Sequence, residues 1–411
     1  MPNPISKKNL KKLAKLSIHT GLGLEKGQDL IISAPIEALP LVRLVTKEAY
    51  KAGAGLVSCF FGDDQMSLLR YKYANDESFD KAPAWLFEGM AKAFDENAAR
   101  LAIIGDNPML LAKADPKKVG RANKAMSEAG SPVRERITAF NVNWNIIAYP
   151  TKDWAKLVFP KDSSKKATKK LANAIFAASR ADKKDPIAEW KKHNATLAIK
   201  SKWLNEQNFA SLHFKGEGTD LMVGLADGHE WAGGAAKAKN GITCNANIPS
   251  EEVFTTPHAN KVDGYVKSTK PLSHAGTLID DIKVTFKDGK IIKASASKGE
   301  EVLLKVLETD EGARRLGEVA LVPHSSPISA SGILFYNTLF DENASCHIAL
   351  GQCYSKCFVE GDKITKSQVE EQGGNSSAIH IDWMIGSEKM DIDGITQSGE
   401  RVAVFRKGEW A

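Results

Sequence analysis

Four short apolar runs alternate with stretches of helical spacing in the first 150 residues, and this alternation restricts the fold of the 411-residue chain more than any other feature. The runs are DLIISAP (29–35), GLVSCFFGDD (55–64), ARLAIIGDNP (99–108) and ITAFNVNWNIIAYP (137–150). Before and between them the spacing predicts helices over 5–24, 40–51, 65–73, 85–94 and 119–129. Strands that are apolar along their whole length, each followed by a helix, indicate an α/β layer, because parallel neighbours need a long crossover and both sheet faces are covered. Pro150 ends the pattern. Residues 151–204 read as lysine-bearing helices, with Asp185-Pro186 as a helix start, and a boundary is expected near Asn205.

From residue 206 the texture becomes β-rich. SLHFKGEGTDLMVGL reads as a hairpin around Gly216-Glu217-Gly218. TLIDDIKVTFKDGKIIKASASKG reads as two strands joined by Asp288-Gly289, a dipeptide that tolerates the positive φ of a type I′ turn. A last strand pair turns at Ser398-Gly399. The expected organisation is an α/β N-terminal domain with a mainly parallel sheet and a helical bridge over 1–205. A β-rich α+β domain, expected to bind metal, follows over 206–411.

Charge divides the same way. Residues 1–205 hold 35 Lys/Arg against 21 Asp/Glu, a net of +14, whereas 206–411 hold 21 against 29, a net of −8. The lysines are dispersed along helices without interleaved aromatics, so they predict a solvated face and no nucleic-acid partner. GLGLEKG (21–27) lacks the spacing of a dinucleotide fingerprint and precedes a strand instead of following one, so no nucleotide is expected. No uninterrupted apolar run reaches about 18 residues, which predicts no membrane span. The lysines of MPNPISKKNLKKLAKL are scattered through an amphipathic stretch, unlike a secretory signal. Five cysteines without a small-domain framework read as reduced packing residues. The expected compartment is the cytoplasm.

Cations belong in the acidic half, which also carries seven of the nine histidines. Between Glu318 and Asp382 lie GEVALVPHSSPIS, LFDENASCHIALGQCYS and HIDWMIG, supplying Glu318, Glu342, His347, Tyr354, His380 and Asp382. Carboxylate with imidazole suits divalent transition metals. His380 and Asp382 are two residues apart, so a strand presents both on one face, with Ile379, Ile381 and Trp383 on the other. An isolated His-x-Asp is ordinarily a hydrogen-bonded pair; the nearby acids and the second histidine turn this one toward a metal site. NIPSEEVFTTPH (247–258) adds two adjacent acids in a run that reads as extended, where Glu251 and Glu252 would face opposite ways and have different tasks.

NIPSEEVFTTP, GEVALV, LFDENASCHIALGQCY and HIDWMIGS together resemble the sequence blocks of the thermophilic-type metallo-aminopeptidases, the aminopeptidase T and aminopeptidase S group. DWAKLVFP, AIFAASRAD and DPIAEWKKHNATL also have counterparts there, so the resemblance spans essentially the whole chain. It implies an α/β N-terminal domain, a β-rich C-terminal domain with two metal ions, a homodimer, and removal of N-terminal residues from peptides. By motif, it places metal ligands at Glu252, Glu318, Glu342, His347, His380 and Asp382, and a catalytic role at Tyr354.

The donor chemistry is consistent with that. Four carboxylates and two imidazoles suffice for two divalent ions (zinc, cobalt or manganese) if Glu318 is shared. Glu251 is then the candidate general base, and Tyr354 the candidate donor to an oxyanion. An acidic pocket attracts a peptide's α-ammonium and repels its carboxylate. The expected activity is dinuclear metal-dependent release of N-terminal residues from short peptides. The alternatives are a two-metal hydrolase of another class, such as a phosphoesterase, or a peptide-binding protein with a structural metal.

Overall fold

The computed structural model describes residues 4–274, 276–361 and 363–411. The chain forms two compact units, Met1–Lys192 with Ala235–Pro249, and His193–Gly234 with Ser250–Ala411.

In the first unit β1 (Leu30–Pro35), β2 (Val57–Gly62), β3 (Ala99–Ile104) and β4 (Trp144–Ala148) form a parallel sheet in the order β2-β1-β3-β4. β1 pairs on both sides and is buried almost throughout, which is why it reads as a continuous apolar run. The helices are α1 (Lys7–Leu16), α2 (Leu39–Ala52), α3 (Asp64–Tyr73), α4 (Ala84–Asp95), α5 (Pro116–Ala129), α6 (Ser131–Thr138), α7 (Lys152–Val158) and α8 (Ser164–Ala178), while α9 (Pro186–Gln207) begins in this unit and passes into the second at His193. α1 begins at Ser6, whose hydroxyl accepts from Asn9 N–H, and buries Leu10, Leu13 and Leu16 against β1 and α2 residues while its lysines stay outside. After Leu16 the helix widens into a π turn, Ser17–Leu22, that stops at left-handed Gly23. A Cβ at Gly21 would lie 2.4 Å from Asn145 Oδ1, so the glycines of GLGLEKG serve close packing and helix termination.

Two local expectations change. The strand expected over 137–150 is confined to Trp144–Ala148, because Ile137–Phe140 ends a helix. Pro132 opens that helix, and Arg136 holds Asp95 of α4 through two bonds of 2.7 and 2.6 Å. α9 runs unbroken through Asn205, where a boundary was expected. Ala235–Pro249 carries the short pair β8 (Ala236–Lys237) and β9 (Thr243–Cys244). It then runs beside β4, with Ile146 N–H donating to Ala246 and Ile248 N–H to Ile146.

The second unit has an eight-stranded antiparallel sheet of β5 (Ser211–Gly216), β6 (Thr219–Leu225), β11 (Pro257–Lys267), β14 (Lys283–Lys287), β15 (Lys290–Ser295), β19 (Asp391–Ile395), β20 (Arg401–Arg406) and β21 (Glu409–Trp410). A small hairpin joins β12 (Leu272–His274) to β13 (Thr277–Ile279). A second antiparallel sheet runs β18-β17-β16-β10-β7, from β7 (Ala232–Gly233), β10 (Val253–Thr255), β16 (Leu316–Leu321), β17 (His347–Gly351) and β18 (His380–Met384). One core is shared by both sheets: Leu212, Phe214 and Val223 of the larger with Val319, Ile348 and Trp383 of the smaller. That contact buries one face of the five-stranded sheet. The other face carries the polar side chains.

Candidate metal centre

The register of β16, β17 and β18 decides which side chains meet. Ala349 pairs with Glu318 on one side and with Asp382 on the other, so these three share a face and a row. His347 precedes Ala349 by two residues and His380 precedes Asp382 by two, which puts both imidazoles on that same face. The intervening row, Val319–Ile348–Trp383, points into the core. Ala320, Ala349 and Gly351 stand opposite the large ligand-type residues and leave room between them. Gly317 forms a register shift just before Glu318; a Cβ there would lie 2.3 Å from Gly351 O, so only glycine fits.

The donor atoms converge. His347 Nε2 lies 3.1 Å from Glu252 Oε2, 3.6 Å from Glu318 Oε1 and 3.9 Å from Asp382 Oδ1. His380 Nε2 lies 3.7 Å from Glu318 Oε2 and 3.5 Å from Asp382 Oδ1. Glu318 thus turns a separate oxygen toward each imidazole. Two triads result, Glu252–Glu318–His347 and Glu318–His380–Asp382, each with its donor atoms within 4.8 Å of one another.

The tautomers suit ligation. His347 Nδ1 lies 3.2 Å from Ser345 O and His380 Nδ1 2.7 Å from Gln352 O. A carbonyl only accepts, so each Nδ1 carries its proton, and in the neutral ring the Nε2 lone pair is left facing the carboxylate oxygens, available to a cation. Among the described residues, His347 Nε2 and Asp382 Oδ1 are buried without a hydrogen bond. Lone pairs facing lone pairs need positive charge between them. The separations also resemble the edge of a tetrahedron of donors about 2.1 Å from a common ion, roughly 3.4 Å. The residues therefore fit divalent cations.

The electrostatics carry the same demand. Burial, followed by Asp382 and Glu252, pushes the Glu342 carboxyl well above the ordinary range. Burial likewise raises Glu318 against the opposing contact with His347. Burial disfavours a charged His347, yet Glu252 and Glu318 overcome it and hold its pKa well above normal. Against its own burial, Asp382 is held low by His380 and His347. Such a set of acids is stable as carboxylates only with compensating charge.

Glu342 and Tyr354 border the triads. Glu342 opens a 3-10 turn (Glu342–Ala344) and lines a small pocket together with Asp382. Asp341 before it accepts from Phe335 and Asn337 N–H and ties down the preceding loop. The Tyr354 ring lies 4.7 Å from the His380 ring and edge-on to Phe254, and burial together with Glu318 and Asp382 keeps its phenol protonated. Glu251 stands apart from both triads. Its Oε2 is 3.6 Å from His193 Nε2. The extended reading of the acid pair needs correcting: β10 begins at Val253, so Glu251 and Glu252 lie in irregular chain before it. His193 and Asn343, which touch this segment, carried no sequence signal of their own; Asn343 sits inside the DENA block but offers no ionisable group.

Comparison with known proteins gives the family. Residues 6–410 match the family described as thermophilic metalloprotease (M29). Aminopeptidase T of Thermus thermophilus is 51% identical over 98% of each chain. Aminopeptidase 2 of Geobacillus stearothermophilus is 44% identical and aminopeptidase AmpS of Bacillus subtilis 41%, again over 98% of each. The solved structure of wild-type AmpT from Thermus thermophilus superposes with a TM-score of 0.94 at 49% identity, covering 98% of this chain and 99% of that one. The chain therefore belongs to the thermophilic metalloprotease (M29) family and, like relatives named aminopeptidases, is a hydrolase.

Proposed function

We propose that the protein is a dinuclear metallo-aminopeptidase that releases N-terminal residues from short peptides. The observation that carries this reading is Glu318, whose two oxygens face two different imidazoles as a shared ligand of two cations would. Glu252, His347 and Glu318 would hold one cation and Glu318, His380 and Asp382 the other, with Glu342 completing the set beside Asp382. Zinc, cobalt or manganese suits these donors. When bound, such ions supply Lewis acidity and bring the pKa of water toward about 7.

The protein's own groups do the rest. Glu251, next to the ligand segment but outside the triads, accepts a proton from the attacking water and returns it to the leaving amine. The Tyr354 phenol donates to the tetrahedral oxyanion. The surrounding acids favour a substrate's α-ammonium over its carboxylate. Free cysteines and the absence, among the described residues, of any helix long and apolar enough to cross a membrane are consistent with a cytoplasmic enzyme. Exposed Phe60, Phe61, Met66, Leu69 and Tyr73 on β2 and α3 leave large apolar side chains uncovered on the first unit, which supports a homodimer.

Glu318→Gln tests the reading. It keeps the shape but removes the charge that both cations share. Loss of at least about 100-fold in kcat/KM on an aminoacyl anilide, with fewer metal equivalents per chain, is expected. Undiminished turnover would refute the assignment, and hydrolysis of phosphate esters in place of anilides would favour a different two-metal hydrolase.

A further inference from the structure

Glu251 and Glu252 lie outside any helix or strand, so no ladder of backbone bonds sets where either acid points. The peptide unit just ahead of them is nevertheless held at both ends. The carbonyl of Ser250 lies 2.7 Å from His193 Nε2, and the N–H of Glu251 donates to Asn343 Oδ1 at 2.6 Å. Both groups belong to the same Ser250–Glu251 peptide plane. Asn343 is fully buried and its own orientation is fixed, because its Nδ2 donates to Leu339 O and its carbonyl accepts from Ser326 Oγ. His193 comes from α9, and because its Nε2 meets a carbonyl, that nitrogen carries the proton. The same nitrogen lies 3.6 Å from Glu251 Oε2, so one imidazole edge faces both the backbone and the carboxylate of the acid pair.

A plane bonded on both edges cannot rotate without losing two hydrogen bonds, one buried and one part-buried. We propose that His193, acting with Asn343, is a positioning residue that aims the Glu251 carboxylate away from the cation ligands and toward the attacking water. The proposal rests on the reading of Glu251 as the proton acceptor. It also explains how two adjacent acids in irregular chain keep separate tasks: Glu252 reaches His347 while Glu251 is held on the His193 side.

The test uses the full-length, metal-loaded protein and an aminoacyl p-nitroanilide. His193→Gln keeps a donor for the Ser250 carbonyl, and His193→Leu fills similar space without one. Misplacing a reacting group by about 1 Å costs about 100-fold, so His193→Leu is expected to lower kcat by about 10–100-fold with KM within about twofold. His193→Gln is expected to restore kcat to within about threefold of wild type. Metal content per chain, measured by elemental analysis, should be unchanged in both. In a Glu251→Gln background, His193→Leu should add less than about twofold, since the group it aims has been neutralised. Wild-type kcat in His193→Leu, a full additional loss in the Glu251→Gln background, or a parallel fall in metal content would each overturn the positioning role. Wild-type kcat in Glu251→Gln alone is a separate outcome: it removes Glu251 as the proton acceptor, and this proposal with it.

Discussion

Ala349 makes no ligand-type contact, yet replacing it should disable the centre. It stands between Glu318 and Asp382 in one row of the sheet, and adjacent strands are about 4.8 Å apart, so the two acids start roughly 10 Å apart at their backbones. Their carboxylates must lean over the alanine to come within 3.6 and 3.9 Å of His347 Nε2. Ala349→Leu places three further carbons in that space. Overpacking of this kind costs about 1–3 kcal/mol of stability, which a protein of this size survives. On the proposed ligand set the effect on metal binding is larger, because ligand positions are tolerable only to within about 0.2 Å. Losing an outer-shell partner already weakens metal binding about 10–100-fold, and here the ligands themselves move, so a loss of at least about 100-fold is expected. Competition against a chromophoric chelator, well below the unfolding temperature, measures this directly. Ala349→Gly serves as control: it leaves the space open, should cost only about 0.5–1 kcal/mol and should keep its metal. Wild-type affinity in Ala349→Leu would refute the claim that the small residue is what lets the acids meet.

Other expectations follow from the same architecture. Chelation should lower the unfolding temperature, because cations at about 100 times their Kd stabilise by about 2.7 kcal/mol, on the order of 5–10 °C for a unit of this size; an unchanged midpoint in differential scanning calorimetry would contradict it. Trp383→Ala empties the core side of β18 and should cost about 3–5 kcal/mol in urea unfolding. A cost below about 1 kcal/mol would mean that this face is not packed as described. Leu69→Lys with Phe61→Lys should shift the sedimentation coefficient from dimer to monomer, and a wild-type dimer would place the interface elsewhere.

Of the candidate site residues that sit on strands, two had their facing legible in the sequence. His380 and Asp382 alternate with Ile381 and Trp383, so period two alone assigns their faces; Glu318 and His347 obey the same rule on β16 and β17, two short strands that the sequence reading did not anticipate. Glu251 and Glu252 were harder, since VFTT reads as extended and gives no sign that the strand starts only at Val253. Their placement depends on His193 and Asn343, about 58 and 92 residues away in the chain. His193 lies in a lysine-bearing helix whose spacing reports only a solvated face. The return of Ala235–Pro249 beside β4 was equally hidden, because that pairing depends on contacts about 100 residues apart. Ile137–Phe140 looked like strand from its β-branched and aromatic residues, whereas Pro132 and the Arg136–Asp95 pair commit Ile137 and Thr138 to helix and leave Ala139 and Phe140 in the turn that ends it.

The proposed activity depends on two cations sharing Glu318 on the polar face of the five-stranded sheet. Anomalous diffraction from crystals loaded with cobalt addresses it without reference to activity. Two peaks per chain are expected, both within bonding distance of Glu318, one beside His347 and Glu252 and the other beside His380 and Asp382. A single peak, or peaks that leave Glu318 uncoordinated, would contradict it.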